Sequence, residues 1–228
     1  MTLEIDTGTG LMPVHLWEPS SGTGPAILLL QEIFGVSDYI KQRAADLAAL
    51  GYFVLAPEIY WRLDETELDE SAPDLLERAL AVVSRLDWDT AVSDSVAALE
   101  YLRGRDEGVA IVGFCFGGGL AYNVAAVSRP DALVSYYGSA LPGLLDLEVD
   151  AVSLHHFGDS DAYLVTDVVD QIVKTVDGPE NEIYRYPDAG HAFDNPMLTF
   201  HHAGASALAW ERTTAFLSHH LPPERGSR

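Results

Sequence analysis

Cysteine is almost absent: the 228 residues hold one, Cys115. No internal disulfide is available, and a lone Cys is ordinarily a small buried hydrophobe, so its neighbours decide whether it does more. Basic residues are also scarce, 13 Lys and Arg against 35 Asp and Glu, for a formal charge of −22. Nucleic-acid binding needs clustered Lys and Arg, and an anionic membrane surface would repel such a chain, so neither is expected as a partner. The surplus negative charge reads as a solubility device. It also repels anions at long range, so an anionic substrate would require a local cation. Long hydrophobic runs are missing: Ala26–Leu30 is of strand length, far short of a bilayer span. The opening MTLEIDTGTG has neither a basic n-region nor an apolar h-region. No secretory signal is therefore expected, and a cytoplasmic location is. Repeats, low-complexity stretches and linkers are lacking as well.

What is present is a chain 48% apolar, enough for the core of one α/β domain over residues 1–221 with a polar tail, PPERGSR, at 222–228. Residues 3–7 and 14–18 read as a hairpin. Further strands are expected at 26–31, 52–56, 109–114, 132–137, 152–157 and 182–186. Helical spacing covers 37–50, 72–86, 90–103, 117–127, 163–176 and 203–219, with Ser37 or Asp38 as a cap and Gly51 as a stop. Strands alternating with helices of this length imply crossover units. The expected fold is a mostly parallel twisted sheet with helices on both faces, whose sites lie at the carboxyl ends of the strands.

One such end carries chemistry. The strand at 109–114 runs into Gly113-Phe114-Cys115-Phe116-Gly117-Gly118-Gly119 and then a helix. This is the G-x-nucleophile-x-G elbow with Cys in the place of Ser. Glycines at 113 and 117 permit a tight turn that aims the sulfur out of the sheet. The helix N-terminus favours a thiolate and offers the Phe116 N–H to a developing oxyanion. The bland alternative is a Gly-rich turn around a structural Cys. An elbow nucleophile requires an acid and then a His later in the chain. Asp159 and Asp161 follow one late strand and His191 follows the last, in the expected order. His191 would take the thiol proton and an Asp would hold the imidazole; the residue pattern leaves Asp159 and Asp161 equally eligible.

Nearly the whole chain resembles the dienelactone hydrolase (carboxymethylenebutenolidase) family, on four blocks: residues 31–36 (QEIFGV), 56–62 (APEIYWR), 113–118 and 189–193 (AGHAF). The resemblance implies an α/β-hydrolase fold and a Cys115, Asp161, His191 triad, choosing Asp161 over Asp159. It assigns Glu32 to hold the resting thiol. It makes the backbone N–H of Ile33 a second oxyanion donor beside Phe116, and Arg62 a binder of a substrate carboxylate. Arg62 could instead be a local ion pair of Glu58, Asp64 or Glu65. The family's best-known members place Ser after the catalytic His and an Arg slightly further on. Here those neighbours are Ala192 and Asp194-Asn195, which weakens the case for dienelactone itself.

Tyr136 and Tyr137, at a strand end on the same rim, are candidates to line the substrate pocket or to pack in the core; Tyr137 is the one placed at the site. The pairs His155-His156, His201-His202 and His219-His220 have no obvious third ligand, so solvated or core roles are expected and no metal or organic cofactor is implied. The expected activity is cysteine-dependent hydrolysis of a small ester or lactone, anionic if Arg62 anchors it. The alternatives are a thiol-redox or small-molecule binding module on the same fold, and an esterase or thioesterase of unrelated acyl groups.

Overall fold

The computed structural model describes residues 1–63, 68–105 and 108–223. These fall into two compact units, residues 1–109 with Pro223, and residues 110–222.

The first unit is built on four strands. β1 (Thr2–Asp6) and β2 (Leu11–Trp17) form the expected antiparallel hairpin, with Ile5 opposite Met12. β2 continues antiparallel onto β4 (Phe53–Pro57), which runs parallel to β3 (Ala26–Leu30). Every residue of β3 and β4 is buried, as their unbroken apolar sequences require. Between them lies α1 (Asp38–Ala49), capped by Ser37, whose hydroxyl accepts from the Ile40 N–H at 3.4 Å. Gly51, at φ 106°, takes the chain out of the helix. α2 (Leu75–Val83) is shorter than its apolar spacing suggested and buries only Ala79 and Val82. α3 (Trp88–Arg103) starts two residues earlier than expected, because the Asp87 carboxylate accepts from the Thr90 N–H at 2.8 Å and caps it.

The second unit is wholly parallel. β5 (Val109–Phe114), β6 (Ala132–Tyr136), β7 (Val152–Gly158) and β8 (Glu182–Tyr186) pair in that order. α4 (Phe116–Ser128), α5 (Thr166–Val176) and α6 (Ala203–His220) accompany them, with a 3-10 turn at Leu141–Gly143. All six residues of β5 are buried. The expected strand at 132–137 stops one residue short, because Tyr137 adopts φ 37°. α5 begins three residues late for a reason that bears on chemistry: the Asp161 side chain accepts the N–H groups of Tyr163 and Leu164, at 2.7 and 3.0 Å, and holds them in a turn.

No helix among the described residues is long and apolar enough to cross a membrane. Of the polar tail, residues 224–228 lie outside the described residues.

Candidate active site

The elbow is formed as the sequence demands. Cys115 has φ 54° and ψ −115°, a conformation that costs a non-glycine residue of order 1–3 kcal/mol and persists only when its surroundings impose it. Those surroundings are backbone. The Cys115 N–H donates to the Tyr136 carbonyl at 3.0 Å, and its own carbonyl accepts from the N–H groups of Gly118 (3.0 Å), Ser139 (3.2 Å) and Gly119 (3.3 Å). Gly113 must be glycine: a Cβ there would sit 2.0 Å from the Gly117 carbonyl oxygen. Phe116, the next residue, opens α4.

The two loops that follow β7 and β8 are stitched together. The Asp159 N–H donates to the Tyr186 carbonyl at 3.0 Å, and the Ser160 N–H to the Ala189 carbonyl at 2.9 Å. Gly158 allows this approach, since a Cβ on it would lie 2.3 Å from the Ala189 oxygen. The stitching delivers Asp161 to His191. Nδ1 of His191 donates to Asp161 Oδ2 at 2.7 Å, while Nε2 lies 3.0 Å from Cys115 Sγ. Asp159 is occupied elsewhere, accepting from Arg185 Nε at 2.6 Å. The structure thus separates the two aspartates that the residue pattern left equal.

Burial shapes the electrostatics of the trio. Desolvation would push His191 towards neutrality, but the hydrogen bond to Asp161 and the contact with Cys115 outweigh it and hold the imidazole up to about 10. Burial also opposes ionisation of Asp161. The His191 hydrogen bond and charge, with the two backbone N–H donors, nevertheless keep this carboxyl below its ordinary range.

Other expected residues fall differently. Tyr137 is not a pocket wall. It is completely buried, with its ring 5.3 Å from that of His191 and 5.2 Å from that of Phe193. Its ring packs beside the imidazole inside the core. Tyr136 is likewise core, its hydroxyl 2.6 Å from that of Thr213. Thr213 in turn meets Nε2 of the buried His156, whose Nδ1 meets the Tyr186 hydroxyl. His155 is also buried, while His201-His202 and His219-His220 lie at the two ends of α6.

In the first unit, Glu32 is fully buried just past β3 and forms an isolated bridge with Gly35, and the Ile33 carbonyl accepts from the Tyr60 hydroxyl at 3.0 Å. Arg62 does not present a free guanidinium. Its Nε and Nη2 donate to the two oxygens of buried Asp94, at 2.9 and 2.8 Å, and Nη2 also donates to the Thr7 and Thr9 hydroxyls. The Nε/Nη2 edge of the guanidinium is therefore filled by Asp94. Of the ion-pair partners expected for Arg62, Asp64 and Glu65 lie outside the described residues, and Glu58 is bonded to His15.

Sequence reasoning did not single out three neighbours. Tyr163 sets its ring edge-on to His191 at 5.0 Å, the Ser139 hydroxyl lies 4.0 Å from Cys115 Sγ, and Asp94 holds Arg62. The first two follow the carboxyl ends of β7 and β6, where a search of every strand end would have met them. Asp94 carried no such signal, because it lies mid-helix in α3.

A cysteine on a strained strand-to-helix elbow, with an Asp and a His past later strand ends, is the arrangement of an α/β-hydrolase fold. The solved structures agree. A Klebsiella pneumoniae protein designated a dienelactone hydrolase superposes with a TM-score of 0.81 at 25% identity, over 96% of this chain and 98% of that one. An α/β serine hydrolase without a lid from Xanthomonas campestris superposes with a TM-score of 0.70 at 19% identity, over 97% of this chain and 95% of that one. The profile of the dienelactone hydrolase family matches residues 12–221, and the chain belongs to that family. Carboxymethylenebutenolidase 1 of Cupriavidus pinatubonensis is 31% identical over 92% of each chain, and the carboxymethylenebutenolidase of Pseudomonas putida 32% over 88% of each. The chain is accordingly a hydrolase of the dienelactone hydrolase type.

Proposed function

We propose that Cys115, Asp161 and His191 form a catalytic triad that hydrolyses a small ester or lactone through an acyl-enzyme. One observation carries this reading: His191 bridges sulfur and carboxylate, 3.0 Å from Sγ on one ring nitrogen and 2.7 Å from Asp161 on the other. Sγ attacks the carbonyl carbon and the C–O bond to the leaving group breaks. The proton on His191 passes to the departing oxygen. Water then attacks the thioester, giving its proton to His191, and the C–S bond breaks to release the carboxylic acid and restore the thiol–imidazole pair. Asp161 fixes the ring and balances the imidazolium. The N–H of Phe116, at the start of α4, is proposed as an oxyanion donor.

Glu32 is proposed in the supporting role that the resemblance assigns, on the strength of its complete burial at the end of β3. A redox or binding module would have no use for an acid and His in this order, which favours the hydrolase over those alternatives. The test is hydrolysis of a panel of aryl esters, thioesters and dienelactone by the native protein, by protein blocked with iodoacetamide at its one Cys, and by Cys115→Ala. Turnover should be lost in both treated forms; full activity in Cys115→Ala would overturn the mechanism.

A further inference from the structure

The second unit holds the proposed triad and four Lys or Arg residues, Arg129, Lys174, Arg185 and Arg212. Among the described residues of this unit, three of these are engaged elsewhere. Arg185 sits closest in sequence, but its Nε and Nη1 each donate at 2.6 Å to Asp159 and Asp170. Arg212 lies 3.9 Å over the Tyr184 ring and is hydrogen-bonded to Tyr186. Arg129 ends α4, about 20 Å of helix from Cys115 at its start, and pairs with Asp150. Lys174 is in the last turn of α5. In the first unit, Arg62 is taken by Asp94 in two points. The positive charge that His191 itself would carry is already faced by Asp161.

Two further carboxylates flank His191 in the chain. Asp188 precedes it by three residues, and Asp194 follows by three, buried and bonded to the Ser206 hydroxyl. Beside the imidazole, one ring meets solvent. Tyr163 is 64% exposed, with its ring edge-on to His191 and its backbone pinned to Asp161 by a 2.7 Å hydrogen bond. A ring held by the triad acid, touching the triad His and open to solvent is a preorganised surface for an apolar group.

We propose that this hydrolase selects uncharged esters over carboxylate-bearing ones, and that Tyr163 is the face on which the substrate's apolar part packs. The inference rests on the triad reading above. A substrate carboxylate packed on Tyr163 would lose hydration to an uncharged ring, whereas an alkyl or aryl group gains contact there.

The experiment compares para-nitrophenyl hexanoate with para-nitrophenyl hydrogen adipate, which differ by a methyl against a carboxylate at one chain end. It is run in about 0.5 M salt, which shortens the screening length to a few ångströms and removes the long-range effect of the acidic surface. We expect kcat/KM to favour the hexanoate by about ten-fold or more. Equal or greater kcat/KM for the adipate would overturn the proposal while leaving the triad reading intact. Tyr163→Ala should raise KM for the hexanoate several-fold with kcat little changed, and Tyr163→Phe should restore it; a fall in kcat alone would show that the ring acts on His191 and not on substrate. The corresponding anilides titrated calorimetrically into Cys115→Ala protein read the same preference without turnover. Hexananilide should bind more tightly than the adipate monoanilide, and the reverse order would overturn the proposal even if the ester assays failed.

Discussion

Arg62 and Asp94 form a two-point ion pair, Nε to Oδ2 at 2.9 Å and Nη2 to Oδ1 at 2.8 Å. Asp94 also accepts the Trp61 indole N–H at 2.8 Å, and the Arg62 guanidinium lies 4.0 Å over that indole. The group expected to greet a substrate is thereby part of the first unit's framework. Arg62→Ala would strand a buried carboxylate with only an indole donor, and we expect a loss of about 3 kcal/mol, towards the lower end for a broken buried pair because Arg62 itself is partly exposed. Asp94→Asn should cost less, since the amide still accepts one of the Arg62 donors. Urea denaturation of the two variants against the native chain measures both.

Gly113→Ala would place a methyl 2.0 Å from the Gly117 oxygen and 2.9 Å from the Ala121 Cβ. Backbone cannot yield there without opening the elbow. A destabilisation of more than about 3 kcal/mol, or failure to fold, is expected, although Ala is otherwise welcome in a strand-to-helix core. The denaturation midpoint checks it; a midpoint within error of the native value would contradict the elbow geometry.

Asp161→Asn keeps the oxygen that caps Tyr163 and Leu164 but removes the charge that holds His191 protonated. The alkaline limb of kcat/KM, expected near 10 in the native enzyme because the imidazolium is lost there, should move to lower pH. The rate should fall on the order of 10³-fold or more, as the amide favours the wrong tautomer. A pH–rate profile of both proteins gives the two readouts together; an unmoved limb would remove His191 as its source.

His155 is pushed down to about 4 by burial, and His156, also buried and beside the Arg212 charge, is held well below its ordinary value. Both are neutral when folded and bind protons more readily when unfolded, so their contribution is present above about 6.5 and is lost as pH falls below it. Native stability should therefore decline between about pH 6.5 and 4, and His155→Phe should flatten that decline. Denaturation midpoints across this range decide it; an unchanged slope in the variant would assign the decline to carboxylates instead.

The parallel half of the fold was readable because its strands are short apolar runs between glycines and helical spacings. Such a pattern allows few arrangements other than crossover units. Boundaries were less readable where a side chain intervenes. α5 starts late because Asp161 caps the turn before it, and β6 ends early because Tyr137 adopts φ 37°; neither effect has a period that a sequence window can detect. Charge partners were the least readable, since Asp94 reaches Arg62 from mid-helix, 32 residues along the chain.

The sequence by itself determined the elbow, because Gly113, Cys115 and Gly117 on a strand-to-helix junction can satisfy the backbone in little other than one tight turn. It also determined that an acid and His191 would emerge from later strand ends. Only the tertiary structure decided which aspartate reaches His191, which cations are already spent on carboxylates, and that Tyr163 rather than Tyr137 faces solvent beside the imidazole. Those outcomes depend on where loops from separate strands converge in space, a matter of packing and hydrogen bonding between residues far apart in the chain, which local propensity does not encode.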